Sequence, residues 1–302
     1  MSVTAPITNI SRCSLHDGPG SRTVVYFKGC GLKCQWCHNP ETRQAKKQIL
    51  YIPNKCIHCG TCIELCPEHH IIVGDRMEYF REGCIACGRC AEECPSMALS
   101  LCGEDKTADQ VMAEIRKDQH YYQATGGGVT FSGGECLLYP EFVAELAEKC
   151  RAEGIHTAVE SAMFVPWENI EKVLPNIDLF FNDLKIPDPE KHRQYTGQTN
   201  FRIIENIRKL SETGKQVILR IPVIPGVNDS EEELAGFGEI IRSFGSGVQE
   251  VELLKYNHLA ESKFRFVGDE YHAFAEESQK DGKMQKLCDR LAELCGRPCY
   301  HG

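Results

Sequence analysis

Three cysteines lie close together near the amino terminus, in a segment that reads FKGCGLKCQWCHNPET from Phe27 to Thr42. Cys30, Cys34 and Cys37 are spaced C-x3-C-x2-C, and the next cysteine in the chain is Cys56. Clustered thiolates bind metals, but a structural site of this kind normally takes four protein ligands. The segment therefore predicts a metal centre in which some other group fills the fourth position.

Eight further cysteines fall in two similar blocks, CIHCGTCIELCP and CIACGRCAEECP. Each block reads C-x2-C-x2-C-x3-C-P, the run of bacterial two-cluster ferredoxins, in which the fourth cysteine of each block ligates the other block's cluster. The pattern predicts two [4Fe–4S] clusters. The first would take Cys56, Cys59, Cys62 and Cys94, and the second would take Cys84, Cys87, Cys90 and Cys66. Two zinc sites are the alternative, since CxxC pairs also bind zinc.

The composition limits the classes of function. A chain of 302 residues fits one large domain with an insertion. Its formal net charge of −9 gives no electrostatic footprint for nucleic acid. No apolar stretch approaches the roughly 20 residues of a membrane span, and no signal peptide is recognisable at the amino terminus. We expect a cytoplasmic protein, where 18 cysteines indicate metal or redox roles rather than disulfides.

Beyond Cys102 the sequence alternates between helical and strand patterns. The predicted helices are TADQVMAEIRKDQHYY, PEFVAELAEKCRAEG, PWENIEKVL, FRIIENIRKLSETG, DSEEELAGFGEIIRSFG and a last one over roughly 283–295. The predicted strands are GGVTFSG, IHTAVES, IDLFFNDLK, QVILRIPVI and VQEVELLKY. Repeated βα units predict a parallel sheet with helices outside, either an open doubly wound sheet or a full or partial (β/α) barrel.

Polar residues follow several of these strands at their carboxyl ends. VVYFKGC leads into the three-cysteine loop, TFSGGE ends on Glu135, AVES on Ser161, and NDLK on Lys185. In both architectures the chemistry lies at the carboxyl ends of the strands. We therefore expect these groups to converge on one mouth of the fold.

The motifs resemble those of a known family. The C-x3-C-x2-C loop with Trp36 before its last cysteine, and SGGE on the following strand, resemble the radical S-adenosylmethionine (AdoMet) enzymes. HDGPG, CHNPET, the two-ferredoxin insert, DLK and VIPGVND together look like an activating enzyme of a glycyl-radical enzyme, over roughly residues 10–266. This resemblance implies a partial (β/α)6 TIM-like barrel, built from residues 1–47 and 103–302, with a bacterial-ferredoxin-like insert at 48–102.

The resemblance also implies a chemistry. Three cysteines would hold a [4Fe–4S] cluster whose fourth iron binds the amino nitrogen and carboxylate of AdoMet. One electron would cleave AdoMet to methionine and a 5′-deoxyadenosyl radical, which takes a hydrogen atom from a glycine of the partner, a glycyl-radical enzyme. The implied cofactors are three [4Fe–4S] clusters, AdoMet and a monovalent cation near the AdoMet carboxylate. The implied electron donor is a flavodoxin or a ferredoxin.

Roles for single residues follow from the same resemblance. The residues expected to bind AdoMet are Trp36, His38, Gly133, Gly134, Glu135, Glu160, Ser161, Asp183, Lys185 and Ile224. Glu160, Ser161 and Asp183 match positions that gather the cation, with solvated loop acids as the alternative. Lys185 would offset the AdoMet carboxylate unless it is a surface lysine, and Ile224 would pack the adenine unless it is plain core.

The loop expected to grip the partner consists of Asp17, Gly18, Pro19 and Gly20, although DGPG is also a generic turn signal. Two other functions stay open: a multi-cluster electron-transfer protein, against which SGGE and DLK count, and a radical AdoMet maturase of another protein residue. The sequence departs from the family pattern at Cys136 and at Asn257, which precedes His258. The cysteines without a cluster spacing are Cys13, Cys102, Cys150, Cys288, Cys295 and Cys299.

Overall fold

The computed structural model describes residues 3–74 and 76–302. Residues 1–2, which begin the predicted first barrel segment, and residue 75 of the predicted insert lie outside it. The strands within the described residues are β1 (Thr4–Ser14), β2 (Arg22–Phe27), β3 (Gln48–Tyr51), β4 (His70–Val73), β5 (Arg76–Tyr79), β6 (Leu99–Cys102), β7 (Glu104–Thr107), β8 (Gly128–Gly133), β9 (His156–Ser161), β10 (Leu179–Asp183), β11 (Gln216–Pro222), β12 (Glu250–Leu254) and β13 (Cys299–His301).

Helices follow most of the later strands. Within the same residues they are α1 (Thr61–Leu65), α2 (Arg89–Glu92), α3 (Ala108–Ile115), α4 (Gln119–Thr125), α5 (Pro140–Ala152), α6 (Trp167–Val173), α7 (Pro189–Thr196), α8 (Phe201–Ser211), α9 (Glu231–Ser243), α10 (Glu261–Val267) and α11 (Asp281–Cys295). None of these helices has the length and apolar character that crossing a membrane would require.

The main sheet has the strand order β13-β12-β11-β10-β9-β8-β2-β1-β7. Strands β2 and β8 to β13 pair in parallel, and β1 pairs antiparallel with both β2 and β7. The predicted parallel α/β sheet is thus confirmed. The sequence patterns did not predict β1, β7 or β13, which lie at the two ends of the sheet.

The two faces of the sheet bury different residues because side chains alternate along a strand. One face packs under the helices and forms the largest apolar core, which contains Phe131, Val159, Phe180 and Leu219. The opposite face carries polar side chains such as Arg220, which follows Leu219 on β11. The functional groups described below project from this second face.

The prediction of one unbroken helix over TADQVMAEIRKDQHYY is wrong. The structure has α3, a short 3-10 turn over Arg116–Asp118, and then α4. Asp118 is buried at this turn, where its carboxylate accepts hydrogen bonds from Arg12 and from Thr23 Oγ1 at 2.6 Å. The break therefore turns a carboxylate towards β1 and β2, which a helix-period pattern does not indicate.

The cysteine-rich segment is closed by its own strand pair. β3 and β6 run antiparallel, with Gln48 opposite Cys102 and Tyr51 opposite Leu99. The cysteine blocks repeat in backbone conformation, because His58 and Ala86 are both left-handed, with φ of 58° and 51°. This unit contacts the rest of the chain through Arg81, which donates 2.7 Å hydrogen bonds to the carbonyl oxygens of Ile49 and Phe266.

Candidate active site

The three-cysteine loop begins where β2 ends, and backbone hydrogen bonds fix it on two sides. On one side, Gly29 N–H donates to the carbonyl oxygen of Thr42 at 2.6 Å. On the other side, Lys33 N–H donates to the carbonyl oxygen of Thr196 at 2.7 Å. The Arg43 guanidinium also donates to the carbonyl oxygen of Cys34. Neighbouring chain segments therefore hold the loop on both sides.

The three thiols line one large cavity at the carboxyl ends of the parallel strands. The cavity measures about 1010 Å³ including its open mouth, which is ample for a nucleotide-sized ligand. Besides the cysteines, the predicted site residues that line it are Trp36, His38, Gly133, Gly134, Glu160, Ser161, Asp183, Lys185 and Ile224. The structure thus brings together residues from five strands, as the rule for parallel sheets predicts.

The two glycines at the end of β8 allow a close backbone approach. Gly133 has φ of +111°, and a Cβ atom there would lie 2.2 Å from the Phe27 backbone nitrogen. A Cβ atom on Gly134 would lie 2.2 Å from the carbonyl oxygen of Gly29. Both side-chain positions are filled by the strand that leads into the cysteine loop. The glycines therefore hold β8 directly against the base of that loop.

Glu135, which the resemblance predicts to bind AdoMet, lies beneath the cavity rather than on its wall. Its side chain is buried and does not line the cavity. Both carboxylate oxygens accept from Ser161 Oγ at 2.9 Å, and the N–H groups of Leu137 and Ala162 donate to it at 3.2 and 3.1 Å. Burial raises the pKa of Glu135 to about 7, although these hydrogen bonds lower it. Glu135 therefore orients Ser161 from beneath the cavity floor.

Two ion pairs place charge on the cavity wall. Glu160 Oε1 accepts from the Arg220 guanidinium at 2.7 Å, and Glu160 Oε2 accepts from Ser132 Oγ at 2.6 Å. Burial raises the pKa of Glu160, but these partners outweigh it and hold the pKa below its ordinary value. Lys185 Nζ donates to Asp183 Oδ2 at 2.7 Å. Burial lowers the pKa of Lys185, but the neighbouring Asp183 charge outweighs this effect and the net shift is upward. The ammonium form is therefore favoured.

Arg220 is a residue that the sequence analysis missed. Besides Glu160, its guanidinium donates to Glu252 at 2.7 Å and to the carbonyl oxygen of His16 at 3.1 Å. It also stacks on Phe181, with its central carbon 3.9 Å from the ring centroid. A buried arginine is stable only when such partners compensate its charge. The signal was available, because Arg220 interrupts the apolar strand QVILRIPVI.

Asn228 was also missed as a positioning residue, although it belongs to the quoted motif VIPGVND. Its Oδ1 accepts from Ile224 N–H at 2.6 Å, and its Nδ2 donates to the carbonyl oxygens of Lys185 and Pro222 at 2.8 Å. The side chain is buried. It therefore joins the carboxyl ends of β10 and β11 where both reach the cavity.

An aromatic wall closes another part of the cavity. Trp36 is 4% exposed and packs against Tyr195 and Phe274, with ring centroids 6.1 and 5.9 Å apart. Ile224 and Tyr256 belong to the same apolar cluster and also line the cavity. Such a wall suits a flat aromatic ligand group, since rings stack and bury their faces.

The DGPG loop precedes β2 and does not line the cavity. Ser14 Oγ donates to the Asp17 carboxylate, and the Asp17 carbonyl oxygen accepts from Thr130 Oγ1 at 2.7 Å. Burial raises the pKa of Asp17. A Cβ atom on Gly20 would lie 2.5 Å from the Gly127 backbone nitrogen, so close packing against this backbone explains why the position is glycine. Arg220 connects this region to the cavity, because its guanidinium donates both to the carbonyl oxygen of His16, next to the loop, and to Glu160.

The other eight spaced cysteines line two separate cavities of the insert. One is lined by Cys56, Cys59, Cys62 and Cys94, and the other by Cys66, Cys84, Cys87 and Cys90. Each cavity thus combines three thiols of one block with the fourth thiol of the other block. Among the described residues, no three Cys, His, Asp or Glu side chains converge closely enough for a single metal ion.

The residues that depart from the family pattern, Cys136, Asn257 and His258, all lie outside the lining of the main cavity. Cys136 is fully buried, and its thiol donates to the carbonyl oxygen of Phe131. Asn257 accepts from Leu259 N–H at 2.9 Å in a turn. Neither Asn257 nor His258 lines the cavity, whereas Lys255 and Tyr256 just before them do.

Comparisons with known proteins agree with this geometry. Residues 81–238 match the radical SAM superfamily, residues 48–95 a 4Fe-4S dicluster domain, and residues 16–62 a 4Fe-4S single cluster domain. In fold, a radical SAM methyltransferase from Sphaerobacter thermophilus covers 99% of this chain and 77% of its own, with a TM-score of 0.55 and 15% identity. Fold and cavity together define a radical SAM enzyme.

Two relatives define the family more narrowly. The (2S)-3-sulfopropanediol dehydratase activating enzyme of Klebsiella oxytoca is 42% identical, over 88% of this chain and 86% of its own. The choline trimethylamine-lyase activating enzyme of Oleidesulfovibrio alaskensis is 38% identical, over 94% of this chain and 93% of its own. The chain belongs to the activating enzymes of glycyl-radical enzymes. The resemblance seen in the sequence motifs is confirmed.

Proposed function

We propose that this protein installs a glycyl radical in a partner enzyme by reductive cleavage of AdoMet. The observation that carries the proposal is the single cavity in which three thiols face the glycine turn and the charged ends of the parallel strands. The [4Fe–4S] cluster that Cys30, Cys34 and Cys37 would hold would supply the electron for cleavage of AdoMet to methionine and a 5′-deoxyadenosyl radical. The protein supplies the position of the reactants and the exclusion of water.

The chain's own groups take separate parts in binding. Cys30, Cys34 and Cys37 hold the cluster, and the backbone beside Gly134 lies next to the amino acid end of AdoMet. Lys185, which is favoured in its ammonium form, offsets the AdoMet carboxylate. Glu160, Ser161 and Asp183 lie together on the same wall and are the candidate ligands of a monovalent cation. The apolar wall of Trp36 and Ile224 takes the adenine.

We also propose that the two four-cysteine cavities each hold a [4Fe–4S] cluster, and that both lie in an insert spanning residues 48–102. Cys59 and Cys87 are exposed, so each cluster has one ligand at the protein surface. Electron transfer from a small soluble donor needs such a surface approach. We therefore assign the insert to electron delivery from a flavodoxin or a ferredoxin.

The iron content tests the number of clusters. Three four-iron clusters correspond to about twelve irons per chain after anaerobic reconstitution. Replacing Cys30, Cys34 and Cys37 together by alanine should remove about a third of that iron, because each cluster has its own thiolates. Iron and acid-labile sulfide analysis measures both values. A content near four irons in the unmodified protein, unchanged by longer reconstitution, would contradict the auxiliary clusters.

The DGPG loop is proposed to bind the glycine loop of the partner through Asp17. Asp17→Asn keeps the side-chain shape and an acceptor for Ser14 but removes the charge. A charged hydrogen bond contributes roughly 1.5 to 3 kcal/mol. We therefore expect kcat/KM for the partner to fall by about tenfold to a hundredfold. Glycyl radical yield at several partner concentrations, followed by electron paramagnetic resonance, measures the change.

Two controls separate partner binding from chemistry in this test. Slow AdoMet cleavage without partner should not change in Asp17→Asn, because the loop does not line the cavity. Ser14→Ala removes the hydroxyl that donates to Asp17 and leaves the charge in place, so it should cause a smaller loss. An unchanged radical yield in Asp17→Asn would assign DGPG to a structural turn.

The experiment that tests the proposed function uses reduced, reconstituted protein with AdoMet and chromatographic detection of 5′-deoxyadenosine. Cleavage is expected, and a glycyl-radical enzyme should increase its extent. If no cleavage occurs with all clusters present and reduced, the chain is an electron carrier. If cleavage occurs and a cysteine or serine of the partner is modified instead of glycine, the chain is a maturase of another residue.

A further inference from the structure

Two cysteines outside the cluster loops lie side by side at the end of the chain. Cys295 ends α11, and Cys299 begins β13. Their Sγ atoms are 3.8 Å apart. Gly296, in the left-handed conformation with φ of 69°, ends the helix between them. The chain therefore folds back on itself so that the helix end and the edge strand present their thiols to each other.

Packing holds both thiols in this arrangement. Cys295 is 3% exposed and belongs to the main apolar core, against which Cys299 packs. Cys299 lies opposite Val251 of β12, and Val251 N–H donates to the carbonyl oxygen of Pro298 at 3.0 Å. Cys299 is only half-buried, so a small solute can reach it while Cys295 stays behind it.

Other cysteines without a cluster role have different neighbours. The thiol of Cys102 donates to a carbonyl oxygen of Glu41, and that of Cys136 to Phe131. The thiol of Cys150 contacts the sulfur of Met112 at 3.6 Å. These thiols are buried singly, whereas Cys295 and Cys299 form a pair.

The contact between the two thiols makes it easier for the pair to lose one proton. The hydrogen bond with Cys299 lowers the pKa of Cys295 to about 7, and the same hydrogen bond raises the pKa of Cys299. The pair as a unit therefore loses its first proton more readily than an isolated thiol. The thiolate is the form that reacts with disulfides.

We propose that Cys295 and Cys299 are a reversible disulfide site that low-molecular-weight disulfides oxidise. When the Cys299 proton passes to the Cys295 thiolate, Cys299, the half-buried member of the pair, becomes the nucleophile; it attacks a sulfur of R–S–S–R, which forms a mixed disulfide and releases R–S⁻. The other thiol then loses its proton and displaces the second R–S⁻, which closes the Cys295–Cys299 bond. The pair gives up two electrons and two protons, and the oxidant becomes two R–SH. The sulfurs approach from 3.8 Å to about 2.05 Å.

The bond would brace the end of the sheet that lies beside the active site. It joins the end of α11 to β13, and β13 pairs with β12. The neighbouring residue of β12, Glu252, binds Arg220, which in turn binds Glu160 in the cavity. Oxidation would thus constrain the edge strand without removing any group from the cavity.

Peptide mapping of the anaerobically purified holoenzyme tests the proposal. The protein is treated with 2-hydroxyethyl disulfide, quenched in acid, alkylated and digested with trypsin. Trypsin cleaves after Arg290 but not at the Arg297–Pro298 bond, so both cysteines stay in one peptide, residues 291–302. This peptide should change from a doubly alkylated form to an unalkylated form that is two hydrogens lighter than the dithiol.

Controls come from the same digest. Cys288 lies in a separate peptide, residues 287–290, and should remain alkylated. We expect the pair to react at least about tenfold faster than Cys288 or Cys150, which are buried singly. Cys299→Ser should abolish the two-hydrogen loss and leave AdoMet cleavage unchanged. Two alkylated thiols in the 291–302 peptide after treatment, or a mixed disulfide that never closes, would overturn the proposal.

Discussion

The Cys34→Ala protein is expected to form no 5′-deoxyadenosine, while the iron of the two auxiliary clusters remains bound and reducible. Cys34 is one of three thiols that line the main cavity, and the auxiliary cysteines line cavities of their own. Loss of the Cys34 thiol should therefore remove iron from the main cavity only. A cluster with two remaining thiolates is not retained, so activity should fall by at least about a thousandfold, as for loss of an essential catalytic group. Chromatography of the nucleoside product measures it.

Cys136→Ala is the matched control for this variant. Cys136 is fully buried close to the same strand end, but its thiol donates to the carbonyl oxygen of Phe131 and does not line the cavity. The control should keep the full iron content and most of the activity. Product formation by Cys34→Ala at the unmodified rate would place the reacting cluster elsewhere in the chain.

The second large effect is expected from Gly134→Ala. The added methyl group would lie 2.2 Å from the carbonyl oxygen of Gly29, which belongs to the backbone just before Cys30. Backbone cannot rotate away as a flexible side chain can, so β8 or the cysteine loop must shift. Overpacking of this kind typically costs about 1 to 3 kcal/mol, and a clash with backbone lies at the upper end of that range. We expect lower thermal stability, reduced iron in the main site and loss of AdoMet cleavage.

Gly282→Ala provides the control, because a Cβ atom there meets no other atom within 4 Å and the residue lies in the helix α11. That substitution should be neutral or should stabilise the protein by about 0.5 to 1 kcal/mol. Differential scanning calorimetry and iron analysis compare the two variants. If Gly134→Ala matched Gly282→Ala in both measurements, the close approach between β8 and the cysteine loop would be disproved.

Short local patterns, together with the family resemblance, predicted most of the residues that line the main cavity. Spacing alone identified the cysteines, and the rule that parallel strands place their ends at one edge brought Ser161, Asp183 and Lys185 to the same wall. The amphipathic periods predicted strands β8 to β12 and most of the helices beside them, but not the edge strand β13 or the helices α7 and α10. Each of these inferences depends on residues that are near one another in the chain or on one repeated geometry.

The parts that were missed depend on contacts between distant segments. Arg220 joins Glu160, Glu252 and the backbone of His16, which no single pattern brings together. The family resemblance predicts that Glu135 of the SGGE motif binds AdoMet, whereas the structure turns its carboxylate inward to Ser161. The helix break at Asp118 depends on Arg12 and Thr23, far away in sequence. Tertiary hydrogen bonding decides such orientations, and local propensity does not.

The most direct test of the account is the formation of the glycyl radical itself. Reduced, reconstituted protein is mixed with AdoMet and a candidate glycyl-radical enzyme, and the sample is frozen for electron paramagnetic resonance. The account predicts a doublet from the single remaining α-hydrogen, its collapse to one line when the partner carries deuterated glycine, and its absence when the acceptor glycine is replaced by alanine. AdoMet cleavage without any glycine-centred signal, with a partner that another activating enzyme converts to its radical form, would contradict it.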